Sequence, residues 1–112
     1  MMLPSPIPVD LAEMIAARLR VIGDPTRIRI LDLLRDGDLS VTQITEDLGT
    51  SQQNVSKHLG VLLQAGIVAR RKDGNNSIYS IADKGVYELC EQVCGGLQLQ
   101  LAELTALVQG TH

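Results

Sequence analysis

Three clusters of residues have the types and spacing to do chemistry. Cys90 and Cys94, the only cysteines, stand four residues apart and are followed at once by Gly95 and Gly96. Thiols at that spacing could bind a soft metal or work as a redox pair. The run Ser51-Gln52-Gln53-Asn54-Val55-Ser56-Lys57-His58 mixes amides, hydroxyls and cations around one hydrophobe. Gln and Asn can make paired hydrogen bonds to adenine, while Ser and Lys reach phosphates or base edges. Arg70-Arg71-Lys72 is a cationic run, with Asn75 and Asn76 just beyond it. Such a run suits a phosphate backbone, and it also occurs on hairpin edges guarded against pairing. What each cluster can do depends on the elements that hold it.

The chain has 112 residues, the size of one domain with one core. Hydrophobic residues are 45% of it but aromatics only 2%, with no Phe or Trp, so Leu, Ile, Val and Ala must fill that core. This suits packed helices and removes the aromatic platforms on which single-stranded nucleic acid stacks. The net charge of −3 would by itself argue against a polyanionic partner, but its distribution does not. Residues 1–50 carry five basic and eight acidic side chains, giving −3. Residues 51–82 carry Lys57, Arg70, Arg71 and Lys72 against Asp73, giving +3. Residues 83–112 carry Lys84 against Asp83, Glu88, Glu91 and Glu103, giving −3 again. A basic island holding two of the three clusters lies between acidic flanks. No apolar run approaches the roughly 18 residues of a membrane span. The opening MMLPSPIPVD has three prolines and no basic residue, and is expected to be an extended arm over residues 1–9 rather than a secretory signal. Two cysteines in such a chain suggest the reducing cytoplasm, where a structural disulfide is not expected.

Hydrophobic spacing predicts the elements. Asp10 is expected to cap a helix with Leu11, Met14, Ile15, Leu19 and Ile22 on one stripe, ended by Gly23. Asp24-Pro25 restarts a helix as N-cap and first residue, with Ile28, Leu31 and Leu34 inward, widened by Ile30 and Leu33. Ser40 caps a short helix with Val41, Ile44 and Leu48 inward, closed by Gly49; Ser51 caps the next, with Val55, Leu59, Leu62 and Leu63 inward, closed by Gly66. Two short helices joined by Gly49-Thr50-Ser51 fit a helix-turn-helix. The period then changes: Ile67–Lys72 and Ser77–Ile81 read as strands around the turn Asp73-Gly74-Asn75-Asn76. Asp83 is expected to cap a last helix to about Val108, whose stripe Val86, Cys90, Val93, Leu97, Leu101, Leu104 and Val108 follows a near-heptad seam.

Helix, helix, helix-turn-helix, hairpin and closing helix make a mainly α winged helix-turn-helix, assigned to residues 10–109. In that fold the second helix of the motif enters the DNA major groove. Its outward face would carry Ser51, Gln52, Gln53, Asn54, Ser56, Lys57 and His58, and the wing would add Arg70, Arg71, Lys72, Asn75 and Asn76. A solvated polar face is the plainer alternative for the helix. For His58, a DNA contact and a hydrogen bond from a half-buried ring stand equal. There is no Ser/His/Asp set, phosphate-binding glycine loop or paired carboxylate cleft, so an enzyme is not expected.

The segments GDPTRIRILDLL and LSVTQITEDLGTSQQNVSKHLGVLLQAGIVARRKDGNNSIYSIAD, with the closing helix, resemble the ArsR/SmtB-type (arsenic-repressor-like) bacterial transcriptional regulators over roughly residues 10–108. The resemblance implies a homodimeric winged-helix repressor, bound to an operator and released by an inducer that is often a metal ion. It implies a dimer seam of first and last helices, here Leu11, Ile15, Leu19, Val86, Cys90, Val93, Leu97, Leu101 and Leu104. The chain departs from the family's metal sites. Where many members carry Cys-Val-Cys it has Ser40-Val41-Thr42. Along the last helix Asp83 matches the first ligand position, but Gly85, Gly96 and Leu99 replace the others, and His112 is only a weak substitute. No metal or other cofactor is expected, and the effector is unknown. Operator DNA and a second copy of the chain are the expected partners, with no membrane. A winged-helix protein-interaction module and a metal-responsive repressor with a non-standard site are the alternatives.

Cys90 and Cys94 keep three readings: a small-residue notch in the dimer seam, which is preferred, a thiol sensor, or a metal site. Their Cβ atoms should lie about 5–6 Å apart, whereas a disulfide wants about 3.8 Å. Two thiolates leave a tetrahedral zinc half-coordinated. The glycine pair costs a helix about 2 kcal/mol relative to alanine, so close helix approach is the expected compensation.

Overall fold

The computed structural model describes residues 2–110, in the order α1 (Val9–Ile22), α2 (Pro25–Leu34), β1 (Leu39–Ser40), α3 (Val41–Leu48), α4 (Gln52–Gln64), β2 (Val68–Asp73), β3 (Asn76–Ile81) and α5 (Gly85–Val108). This is the expected winged helix-turn-helix with one added strand. β1 is two residues long and pairs antiparallel with β3, so the sheet order is β1-β3-β2. So short a strand has no alternation to read, and its residues also serve as the cap of α3.

Caps set the frame. The Asp24 carboxylate accepts from the Arg27 N–H at 3.1 Å, and Pro25 occupies the first turn of α2. Ser40 and Gln43 form a reciprocal capping box on α3, and Ser51 Oγ accepts the Asn54 N–H at the start of α4. Gly49, with φ 68°, closes α3 in the left-handed region that glycine enters without strain. Two expected caps shift. α1 starts at Val9 after Pro8, which offers no side-chain cap, so Asp10 sits inside the first turn and acts there through its charge. Asp83 stands one residue before the N-cap Lys84, yet its Oδ1 accepts the Gly85 N–H at 3.0 Å and serves the same orphan donor. In the wing the ladder runs from Val68↔Ile81 to Asp73↔Asn76. The turn is therefore Gly74-Asn75 alone, with Gly74 at φ 65°.

The core comes from α2, α3, α4 and the sheet: Ile30, Leu31, Leu34, Ile44, Val55, Leu59, Leu62, Ile67, Val68 and Tyr79 are buried, with Ile22 and Val86 at its edge. Val86 is a correction. Expected on the dimer seam, it is 3% exposed, because α5 begins by packing onto its own protomer. Ile28, expected inward, is 42% exposed at the mouth of a groove between α2 and α5. The Tyr87 hydroxyl donates to the Leu31 carbonyl at 2.7 Å, and burial pushes its pKa up to about 12.

Beyond this start α5 leaves the core. Every residue from Glu91 to Gln109 is exposed, including Val93, Leu97, Leu101 and Leu104. The radius of gyration is 17.7 Å, against about 13 Å for a compact chain of this length.

Arg18 ties the pieces. Its guanidinium donates to the Ala65 carbonyl at the end of α4 (2.8 Å) and to Asp83 at the start of α5 (2.5 Å). The Arg18 hydrogen bond, with the Gly85 N–H, holds the Asp83 carboxyl below its usual range. A depressed folded pKa means the link contributes above the unfolded value of about 3.9 and is lost as pH falls through the folded value. The urea midpoint of Asp83→Asn is therefore expected below wild type at pH 7, with the gap closing as pH drops below about 4. A gap that is constant across that range would refute the assignment.

Candidate nucleic-acid interface

The outer face of α4 divides on inspection. Gln52, Gln53, Ser56 and Lys57 are exposed, and their side chains make no hydrogen bond or ion pair among the described residues. Ser51 and Asn54, expected with them, are engaged locally: Ser51 caps the helix, and the half-buried Asn54 donates from Nδ2 to Thr50 Oγ1 at 3.2 Å. The four uncommitted side chains sit on the first two turns, where unpaired N–H groups and the helix dipole favour an anion.

Of the two readings for His58, the structure favours the hydrogen-bonded ring and takes the residue out of the outward face. It is 7% exposed and faces inward with Val55 and Leu59. Arg27 Nε donates to His58 Nδ1 at 3.1 Å, which puts the ring proton on Nε2. Arg27 also donates from Nη1 to the Val21 carbonyl at 2.8 Å, while its own N–H is held by Asp24. The Asp24 carboxyl is lowered first by that Arg27 N–H bond. One arginine thus joins the end of α1, the first turn of α2 and the middle of α4. The histidine is turned inward, where it helps position α4. Arg27 was the residue that spacing could not mark, since a polar residue in the first turn of a helix usually faces water.

In the wing, Arg71 forms an ion pair with Asp38 at 2.6 Å and braces the hairpin against the approach to β1. Arg70 and Lys72 lie across from Tyr79 and Ser77, are exposed, and have no ion-pair partner among the described residues. Asn75 and Asn76 are exposed at the tip, Asn76 as the first residue of β3. The surface free to meet a polyanion is thus Lys57, Arg70 and Lys72, with amides between them.

The family's metal positions do not suit a metal. Ser40 is spent in its capping box, and Asp83 is held by Arg18 and Gly85. Among the described residues no three His, Cys, Asp or Glu side chains gather as a metal site. His112 lies outside the described residues.

Residues 24–70 match the family described as bacterial regulatory protein, arsR family. A transcriptional regulator of Methanocaldococcus jannaschii, MJ1325, is 40% identical over 82 residues, 72% of this chain and 92% of that one. The chain belongs to the ArsR family. Rv0081 of Mycobacterium tuberculosis, named as an uncharacterized HTH-type transcriptional regulator, is 48% identical over 71 residues; the match spans 62% of this chain and 62% of that protein's length. The Rv0081 crystal structure superposes with a TM-score of 0.77 at 40% identity, covering 86% of this chain and 97% of that one. The solution structure of Mb0332 from Mycobacterium bovis, described as a homodimeric winged helix-turn-helix DNA-binding domain, gives a TM-score of 0.70 at 28% identity, covering 80% and 82%.

Cys90 and Cys94 are free thiols, the first half-buried against the core and the second exposed. Both line an apolar groove of about 390 Å³ with Leu19, Ile28, Val93 and Leu97. At about 100° per residue, Cys90 lies on the apolar stripe of α5 and Cys94 on its flank. Gly96 falls about 100° and Gly95 about 160° from that stripe. A Cβ at either glycine would meet nothing within 4 Å. The glycines thus have no neighbour within their own protomer, as residues of a seam between protomers would not.

The Arg27–His58 contact gives a sharp expectation. His58→Leu should cost about 1–3 kcal/mol by stranding the Arg27 donor, while Gln53→Ala should stay within about 0.5 kcal/mol of wild type. Thermal melts of the two variants check this; equal melting temperatures would remove His58 from the positioning role.

Proposed function

We propose that this chain is a homodimeric, sequence-specific DNA-binding transcriptional regulator, a cytoplasmic repressor released by an effector, with no catalytic activity and no metal cofactor. The observation that carries this reading is the uncommitted outer face of α4 beside the two free wing cations. Gln52 and Gln53 are suited to base edges, and Lys57, Arg70 and Lys72 to phosphates. The bare apolar side of α5, with Leu19 and the half-buried Leu11 and Ile15 of α1, supports a two-fold seam between copies of the chain. The description of Mb0332 as homodimeric and DNA-binding agrees with it.

The test is a titration of the purified chain with DNA from upstream of its own gene at several salt concentrations. Lys57→Gln and Arg70→Gln should each flatten the log–log salt slope by about one. Gln53→Ala should cost about 1–3 kcal/mol on the operator and almost nothing on unrelated DNA. Leu97→Glu with Leu101→Glu should sediment as a monomer and lose the operator. No retardation at low salt would overturn the proposal in favour of a protein-interaction module.

A further inference from the structure

The two ends of α4 are satisfied by different means. Ser51 caps its start from within the same segment. Its end has no such local partner. Gly66, at φ 75°, turns the chain out of the helix, and α4 carries no basic residue in its own last turn to meet the negative end of the dipole. The cation comes from another helix. Arg18 of α1 donates from Nη1 to the Ala65 carbonyl at 2.8 Å, while its Nη2 pairs with Asp83 at the root of α5 at 2.5 Å. A guanidinium is a rigid planar fork of donors, so one side chain spans both acceptors in a fixed geometry.

Backbone closes the same corner. The Ile67 N–H donates to the Leu62 carbonyl at 3.0 Å, and the Ile67 carbonyl accepts the Ala82 and Asp83 N–H groups at 2.9 and 3.2 Å. Those bonds fasten the end of α4 to the root of α5, but they do not reach α1. Among the described residues, the side-chain hydrogen bonds that join α1 to other elements are Arg27 to the Val21 carbonyl and the two from Arg18. The only buried residue of α1 is Ile22. Arg18 is therefore the one side chain that holds α1, the end of α4 and the root of α5 together.

We propose that Arg18 is a positioning residue for operator recognition, fixing the angle at which α4 stands to the α1 and α5 surfaces of the seam. It acts through α4 and makes no DNA contact of its own. A two-fold dimer fits an operator when the separation of its two reading helices matches the spacing of the half-sites. A locked corner gives that separation one value, so the spacing becomes a feature the protein selects. The consequence for DNA rests on the proposed dimeric regulator; the lock itself does not.

The experiment compares the full chain with Arg18→Met and Arg18→Lys. Methionine keeps an apolar stem without a donor, and lysine keeps the charge without the fork. The Ile67 bonds and the core remain in both, so both should melt cooperatively and sediment as dimers. The first measurement uses no DNA. A spin label on Ser56→Cys, with Cys90→Ser and Cys94→Ser, reads the distance between the two α4 helices of a dimer. Its distribution should be narrow with Arg18 and broader in both variants. The second measurement is retardation of DNA from upstream of the gene, of the same DNA with one base pair inserted at its centre of symmetry, and of unrelated DNA. Arg18→Met should bind the native spacing about 10-fold more weakly, the equivalent of about 1.4 kcal/mol. Its binding to the other two should change less than about 2-fold, because no phosphate contact is lost. An equal loss on all three DNAs would mark a purely structural role and overturn the proposal. Equal distance distributions in wild type and Arg18→Met would overturn it too, as would a narrow one kept by Arg18→Lys, since charge alone would then suffice. Broadening in both variants, with no DNA retarded by wild type, would uphold the lock and overturn the regulator reading.

Discussion

Only the first two turns of α5 are covered by the chain that makes it. Val86 is buried, Tyr87 is bonded to Leu31, and Cys90 is half-buried; beyond them the helix projects with its leucines in water. Isolated helices are marginal in water, and most helical stability in proteins comes from packing an apolar face. At 24 residues, α5 spans about 36 Å, more than a protomer this small can cover. The same helix adds Leu99, Ala102 and Leu107 away from the main stripe, among the polar Glu91, Gln92, Gln98 and Glu103. This one uncovered element accounts for the extended radius of gyration.

The reverse economy governs the other end of the molecule. The core is spent on α4, whose Val55, Leu59 and Leu62 are fully buried, and two arginines fix where that helix sits. Arg27 holds it through His58, and Arg18 holds its end through the Ala65 carbonyl. Arg18 also grips Asp83 at the root of α5, so a single side chain touches both the DNA-facing helix of the proposed function and the helix of the proposed seam. That is a physical route by which a change in α5 could reach α4. It passes through a half-exposed ion pair, and such pairs are individually weak.

Much of this was legible residue by residue. Asp24, Pro25, Ser40, Gly49 and Ser51 announce their caps because a cap is satisfied by backbone within three residues of itself. The wing was legible because alternation and a Gly-Asn turn are local signals. The two-residue β1 was not, since its strand character exists only through its pairing with β3. His58 was left between two readings, because a polar residue next to a buried Leu59 falls near the boundary of the helix face, and only the Arg27 donor across the fold decides which side it takes.

The sequence by itself determined the order of the helices and the hairpin, the basic island, the α4 polar face and the α5 apolar stripe, because periodicity, capping and charge are properties of neighbours along the chain. Tertiary structure alone decided that Val86 serves the protomer core, that Arg71 is spent on Asp38 while Arg70 and Lys72 stay free, and that His58 turns inward to Arg27. Each of these depends on which groups meet across separations of many residues, and no local pattern encodes that distance.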